Sequence, residues 1–285
     1  MKHPLAILIS FSFALDQLAA DDKKPNAAKW ENTRKYKIVT PNNYDPKKIY
    51  PFILSLHGFT DNGSGQKRFF PLADLAEKHG FLYCFPTGLG FPRSWNATNA
   101  CCDWANKHDD SAYLRGLILW AQKKYNIDKR KVYVTGLSNG GFMSYRMARD
   151  HPDLITAIVP FAGVGFKKWP GNPTNPVSVL HIHGTEDSSI DWKGGEILGR
   201  AYPSAVENFE NWRKFNQCEK KVDTSKEKIN LTRRVFGKET KVTRFTNKDG
   251  SITTELWQVT GGGHVTPPVK EARERIIKWM LSHSK

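Results

Sequence analysis

Lys131-Val-Tyr-Val-Thr-Gly-Leu-Ser-Asn-Gly-Gly-Phe-Met-Ser-Tyr-Arg-Met-Ala148 is the stretch whose reading decides the fold. It opens on a short apolar run, Val132-Tyr133-Val134, bounded by charge and then by glycine, which is the pattern of a buried parallel strand. It closes on Phe142, Met143, Tyr145, Met147 and Ala148, which carry helical spacing. Between them Gly136-Leu137-Ser138-Asn139-Gly140 forms G-x-S-x-G, the pattern of a sharp strand-to-helix turn with a serine at its apex. Such a turn lifts Ser138 Oγ clear of the sheet, at a helix N-terminus where backbone N–H groups face incoming negative charge. Glycine and serine are common, so the five-residue pattern needs its strand, its helix and its partners elsewhere before it means anything.

Working outward, strand and helix patterns alternate. Strands are expected over 35–39, 51–56, 81–85, 155–161 and 177–182. Helices are expected over 71–79, closed by Gly80, then from Asp109-Asp110 to Tyr125, over 201–215 and over 269–283. A hairpin is expected over 245–256 around Asn247-Lys-Asp-Gly250, because Asp-Gly is a strong turn signal. Residues 220–241 are strongly basic and weakly patterned, and are expected to be exposed. This alternation predicts an α/β protein: one mostly parallel twisted sheet with helices on both faces. Only the glycine- and proline-rich segment 162–176 separates two of the strands, which leaves no room for a lid domain and predicts an open site.

Residues 1–20 have the pattern of a secretory signal: Lys2 and His3, an apolar run from Leu5 to Leu15, and Ala19-Ala20 before Asp21-Asp22. Asp16 interrupts that run too early for a membrane anchor, and no later segment is apolar enough to insert stably in a bilayer. Residues 21–33 are expected to be a loose mature N-terminus, and 34–285 a single catalytic domain. Four cysteines, Cys84, Cys101, Cys102 and Cys218, allow three pairings. Neighbouring residues rarely permit relaxed disulfide geometry, so the expectation is a bridge from Cys101 or Cys102 to Cys218, with Cys84 a buried thiol. No Cys/His spacing suits a structural zinc ion.

The formal charge of +15 is a property of solubility first and of attraction to anionic partners second. No nucleic-acid-binding motif accompanies it, so nucleic acid is not an expected partner. Nothing in the pattern specifies an oligomeric state.

A serine hydroxyl is a poor nucleophile until a base takes its proton, and that base is normally a histidine oriented by a carboxylate. On an α/β sheet the partners come after the serine in the order acid, then histidine, each just past a strand end. Asp187 lies in His183-Gly-Thr-Glu-Asp-Ser-Ser-Ile190, with Glu186 and Asp191 as competing carboxylates. His264 comes directly after three glycines, Gly261 to Gly263. His181 and His183 fall on or beside a core strand and read as packed or hydrogen-bonded there. Upstream, His57-Gly58-Phe59-Thr60 lies directly past a buried strand, where a second oxyanion-hole N–H is expected. The loop from Thr87 to His108 is unusually aromatic, with Phe91, Trp95 and Trp104.

Taken together, His57-Gly58-Phe59-Thr60, the Asp109-Asp110 helix start, Gly136 to Gly140, His183 to Asp187 and Gly261 to His264 resemble the secreted poly(3-hydroxybutyrate) depolymerase and feruloyl esterase group of the α/β-hydrolase fold, relatives of carbohydrate esterase family one. The resemblance runs from about residue 34 to 283. It implies Ser138 as nucleophile, His264 as general base and then acid, and Asp187 as its orienter. It also implies an oxyanion hole from the backbone N–H groups of Phe59 and Asn139, and ester hydrolysis without metal or cofactor. One departure concerns the acyl pocket: Gly-Gly-Gly-His often continues as Thr-Trp-Pro-Gly in that group, whereas this chain reads His264-Val-Thr-Pro-Pro268. Trp192 is a candidate to compensate for the missing tryptophan, and Trp95 and Thr266 are further candidate substrate contacts.

The reading is a secreted serine ester hydrolase acting on polymer-linked or aryl esters. The basic surface leans towards anionic polysaccharide, whereas an exposed aromatic platform would lean towards polyester. The alternatives are a catalytically idle hydrolase fold used for binding, and a serine peptidase.

Overall fold

The computed structural model describes residues 34–285 apart from 103, 105–107, 170, 172 and 228. The expected secretory leader and mature N-terminus therefore lie outside the described residues. Along the chain the strands are β1 (Ile38–Val39), β2 (Tyr50–Leu56), β3 (Leu82–Cys84), β4 (Ile127–Leu137), β5 (Ala157–Phe161), β6 (Ser178–Gly184), β7 (Gly195–Ile197), β8 (Arg200–Tyr202), β9 (Lys220–Val222), β10 (Thr240–Thr246) and β11 (Thr253–Val259). The helices are α1 (Gly63–Phe69), α2 (Ala73–His79), α3 (Asp110–Lys124), α4 (Asn139–Asp150), α5 (Ala205–Phe215) and α6 (Lys270–Leu281).

Among the described residues one nine-stranded sheet runs β1-β3-β2-β4-β5-β6-β11-β10-β9, and β7 and β8 make a separate small ribbon. The six strands from β3 to β11 in that order are mutually parallel, and antiparallel strands extend the sheet at both margins.

Both faces of the parallel centre are covered, which is why its strands are apolar throughout rather than alternating. Side chains on a strand point alternately to either face. Phe52, Leu54, Val132, Val134, Ile158 and Val179 accordingly join a core that includes Leu114 and Leu117 of α3, Phe142 and Met143 of α4, and Trp212 of α5. Their chain neighbours Ile53, Tyr133, Val159 and Leu180 join an opposite core with Leu75 of α2 and Ile276, Ile277 and Met280 of α6.

Several helix ends sit where local chemistry puts them. Asp109 caps α3 by accepting from Ala112 N at 3.0 Å, and Gly80 ends α2 at φ 66. Both are as expected.

Three differences from the expected elements have identifiable causes. Helix α5 starts at Ala205, not 201, because Pro203 disfavours helical backbone before it and Ser204 caps the helix, its Oγ accepting from Glu207 N at 2.9 Å. Helix α1 has no counterpart among the expected elements, since its stretch holds two glycines; it is capped by Asn62, whose Oδ1 accepts from Ser64 N and Gly65 N at 2.9 and 3.2 Å. The basic 220–241 stretch is only partly exposed. Lys220–Val222 pairs with β10, and Ile229 and Leu231 are buried in the second core. Leu231 also links to the start of α6, its carbonyl accepting from Val269 N at 2.7 Å.

The expected bridge to Cys218 is absent. Cys101 and Cys102 are joined to each other, and Cys84 and Cys218 are free and buried. The Cys218 thiol is engaged by a different part of the fold, 3.5 Å from Ile252 O and from Thr254 Oγ1, whereas Cys101 Sγ lies 3.5 Å from Asn139 Nδ2. Between β5 and β6 the described residues form no helix, in keeping with the absence of a lid domain.

Candidate active site

Register across the sheet brings the candidate residues to one rim. Leu137 stands opposite Phe161, Phe161 opposite Ile182, and Gly184 opposite Val259. Ser138, Asp187 and His264 each lie within a few residues past one of these strand ends.

Ser138 takes φ 54 and ψ −117, in the left-handed half of backbone space that non-glycine residues rarely occupy. Strain of this kind costs on the order of 1–3 kcal/mol and persists only where the surroundings enforce it. Here Ser138 N donates to Phe161 O at 2.8 Å, and Phe142 N donates back to Ser138 O at 2.9 Å. The turn also needs Gly140, because a Cβ there would stand 2.2 Å from Leu56 O. A serine at a helix N-cap ordinarily turns its oxygen onto the first-turn N–H groups. Ser138 makes no such bond, which leaves Oγ unspent.

The candidate acid and base are tied together through backbone. Glu186 N donates to Gly262 O at 2.9 Å, Thr185 N to Val259 O at 3.0 Å, and Gly261 N to Thr185 Oγ1 at 2.9 Å. A Cβ on Gly184 would fall 2.1 Å from Gly262 O, so the two loops touch main chain to main chain. In that setting His264 Nδ1 donates to Asp187 Oδ2 at 2.8 Å. A carboxylate only accepts, so Nδ1 carries the proton and Nε2 presents its lone pair. Of the competing carboxylates, Glu186 is exposed and Asp191 accepts instead from Lys193 N at 2.7 Å. Ser138 and His264 are not hydrogen-bonded to one another; catalytic contacts that are long in a free enzyme tighten in its complexes.

Asp187 is buried, and burial alone would raise its pKa. Hydrogen bonds from His183 and His264, the His264 charge and the Ile190 N–H outweigh burial and hold the carboxyl well below its ordinary range. Its Oδ1 accepts from Ser189 N and Ile190 N at 2.9 and 2.8 Å.

Behind Asp187 runs a buried chain of side chains. Tyr145 OH lies 2.9 Å from His181 Nδ1, His181 Nε2 lies 3.2 Å from His183 Nδ1, and His183 Nε2 lies 2.8 Å from Ile190 O and 3.3 Å from Asp187 Oδ2. Because Ile190 O can only accept, His183 carries its proton on Nε2. His183 Nδ1 is then an acceptor, His181 donates to it from Nε2, and Tyr145 donates to His181 Nδ1. Burial and the neighbouring His183 hold the His181 pKa far below that of a free imidazole, consistent with a neutral chain. The sequence places both histidines in the core but does not announce their connection to Asp187. A signal is present all the same: residues 181 and 183 share one face of β6, and the acid comes four residues later.

The oxyanion side is built differently. His57 is buried; its Nδ1 donates to Gly58 O at 2.7 Å, and its Nε2 accepts from Gly88 N at 2.9 Å. Asp61 N also donates to Gly58 O, at 3.2 Å. With that carbonyl held on one side, the planar trans peptide turns the Phe59 N–H to the other. Among the described residues neither Phe59 N nor Asn139 N has an acceptor, so both donors are available. The Asn139 side chain clips the next loop in place: Oδ1 accepts from Trp95 N at 2.7 Å and Nδ2 donates to Trp95 O at 2.9 Å.

The three candidate substrate contacts fare differently. Trp95 is fully buried and donates from Nε1 to His57 O at 3.1 Å, so it offers no surface to a ligand and braces the oxyanion loop instead. Thr266 is likewise buried, which removes it as a surface contact. Trp192 is half-buried, with its ring edge-on to His183 at 5.9 Å, beside the acid. Sequence reasoning misses the Phe59 side chain itself, which is 38% exposed and has Trp104 6.1 Å away.

With this geometry in place, comparisons with known proteins add three things. Residues 79–172, which hold the serine turn, match the prolyl oligopeptidase family. Feruloyl esterase B of Piromyces equi is 26% identical over 244 residues, covering 81% of this chain and 42% of that protein. A bifunctional acetylxylan esterase/xylanase of Neocallimastix patriciarum is 27% identical over 191 residues, covering 66% of this chain and 25% of that protein. The chain thus spans less than half the length of these two relatives. Among solved structures, an acetyl xylan esterase from Aspergillus awamori superposes with a TM-score of 0.62 at 18% identity, covering 88% of this chain and 95% of that one. The fold is that of the α/β-hydrolases.

Proposed function

We propose that this chain is a serine carboxylic-ester hydrolase that acts through an acyl-enzyme. The observation that carries the reading is the 2.8 Å His264–Asp187 pair at the same rim of the sheet as a serine whose hydroxyl is free of capping duty. In the first half-reaction Ser138 Oγ attacks the ester carbonyl, and its proton passes to His264 Nε2. The tetrahedral oxyanion is met by the N–H groups of Phe59 and Asn139. The carbon–oxygen bond to the alcohol then breaks, and His264 returns the proton to the leaving oxygen. Water repeats the sequence on the acyl group and regenerates Ser138. Each oxyanion donor is worth about 2.7–4 kcal/mol to such a transition state.

For substrate class, the relatives' names support acetyl or feruloyl esters of plant polysaccharide over aliphatic polyester. The exposed Phe59 ring suits an aryl or sugar face next to the oxyanion donors. We further propose that the protein is secreted, on the strength of the leader-like first twenty residues. N-terminal sequencing of exported protein should then begin near Asp21.

The test is hydrolysis of p-nitrophenyl acetate, p-nitrophenyl butyrate, methyl ferulate and a polyhydroxybutyrate suspension by wild type and Ser138→Ala. Loss on the order of 10⁶-fold in kcat is expected for the variant. Activity that survives this substitution would remove the reading. The match to the prolyl oligopeptidase family favours peptidase activity as a second reading. Cleavage of peptidyl-p-nitroanilides in preference to all four esters would establish it instead.

A further inference from the structure

A groove of about 500 Å³ opens on the oxyanion side of the rim, lined among others by Arg34, Lys35, Lys37, Lys67 and Arg93, with no acidic residue in its wall. Arg34 is committed to Asp110. Lys35, Lys37, Lys67 and Arg93 are exposed, and no ion pair engages them among the described residues. A groove of comparable size elsewhere, about 660 Å³ near β9 and β10, shows what an ordinary charged surface looks like. Its lysines Lys221, Lys238 and Lys241 are matched by Asp223, Glu227 and Glu239. One-signed lining in a concave site focuses potential and concentrates counter-charged ligands.

The groove is fastened to the catalytic rim. Thr87 N donates to Lys35 O at 2.7 Å, Thr60 N donates to Arg93 O at 2.8 Å, and Gly88 N is the donor that orients His57. Its wall includes Phe85 and Thr87 to Leu89, just past the end of β3, and β3 is separated from β4, the strand that leads into Ser138, only by β2. At the usual spacing of parallel strands that is about 10 Å sideways. Between the groove residues Leu89 and Arg93, Phe91 stands fully exposed. An exposed aromatic ring beside unpaired cations offers a flat apolar face together with charge, which a lone small anion would not use.

We infer that this groove is a subsite for an acidic polysaccharide, seating uronate carboxylates a few sugar units from the ester held at Ser138. The inference rests on the esterase reading for its substrate but not for its binding test. The cations bind the polymer carboxylates, Phe91 packs on a sugar face, and the scissile ester is thereby delivered to the oxyanion donors.

The experiment uses acetylated glucuronoxylan and the same polymer after carboxyl reduction, with wild type and the triple variant Lys35→Glu/Lys37→Glu/Lys67→Glu. Wild type should prefer the acidic polymer, mainly through a lower KM, and the preference should fade as salt rises. In the triple variant the ratio of kcat/KM for the acidic over the reduced polymer should fall by about tenfold or more. Phe91→Ala should weaken both polymers alike. An unchanged ratio in the triple variant, or an equal loss on both polymers, overturns the proposal. Affinity electrophoresis through gels containing each polymer reads binding without hydrolysis. Failure on p-nitrophenyl acetate with selective retardation by the acidic gel would sink the esterase reading and keep the groove; normal hydrolysis without selective retardation would do the reverse. Tighter binding of single-stranded DNA than of glucuronoxylan would also overturn it.

Discussion

On the Phe59–Asn139 side of the rim, main-chain N–H groups are aimed by buried neutral side chains: His57 on the Gly58 carbonyl, Trp95 on the preceding carbonyl of His57, Asn139 on the Trp95 backbone. On the Asp187–His264 side the working groups are side chains, aimed by a buried charge and by a line of imidazoles behind it. On the proposed reading the difference reflects the chemistry. A donor for a developing oxyanion has to be rigid and never titrate, so backbone serves. A base has to gain and lose a proton while holding its place, so its partner carries a fixed opposite charge.

The sharpest way to break this comparison is Asp187→Asn. With the geometry kept but the wrong proton placed on His264, kcat should fall about 10⁴-fold. If rapid-quench and steady-state assays show only a few-fold loss, the two sides do not differ as described.

His183 probes the next layer. His183→Ala removes one of the donors to Asp187, and slight misplacement of a catalytic group costs about 10²-fold. That loss should fall on kcat with KM little changed, and His183→Gln, whose amide can still donate, should recover most of it. Equal losses for Ala and Gln would mean that packing, not the donated proton, is what matters.

Acid should act on both sides, at different pH. Burial lowers the pKa of His57 and His181 below the ordinary 6.5. A lowered value means their contribution to stability is complete above pH 6.5 and is lost as pH falls through the folded values. Asp187, lowered from 3.8, has the same sign in a more acidic window. Thermal midpoints should therefore decline from below pH 6.5 and steepen below 3.8. His181→Asn should flatten only the upper part, as a melting series in mixed buffer would reveal.

The smallest effect on activity is expected at Trp95→Phe, which removes the hydrogen bond to His57 O and shrinks a fully buried indole to a phenyl ring. About 1–3 kcal/mol of stability should go, measured by urea titration, with a few-fold change in kcat at most.

How much of this can be read from the chain depends on how local each signal is. The serine turn, the hairpin at Gly250, the Asp109 cap and the chain order of acid and histidine are written in a handful of adjacent residues, and they are legible. Ile229 and Leu231 look like part of an exposed basic stretch, because only the distant second core explains why two isolated aliphatics are buried. Trp95 reads as a ligand contact since aromatic residues in rim loops often are. What distinguishes it is its partner at His57, far away in sequence. The Cys101–Cys102 pairing goes against the usual avoidance of neighbouring bridges, which is a tendency and not a prohibition.

One plain stretch of chain, the coil between β5 and β6, bears on tempo. A hydrolase with a hinged cover spends part of each cycle opening and shutting, and often wakes only at an interface. With no helix in that coil among the described residues, progress curves on soluble and on particulate substrate should start without a lag, their rates governed by encounter and bond-making alone.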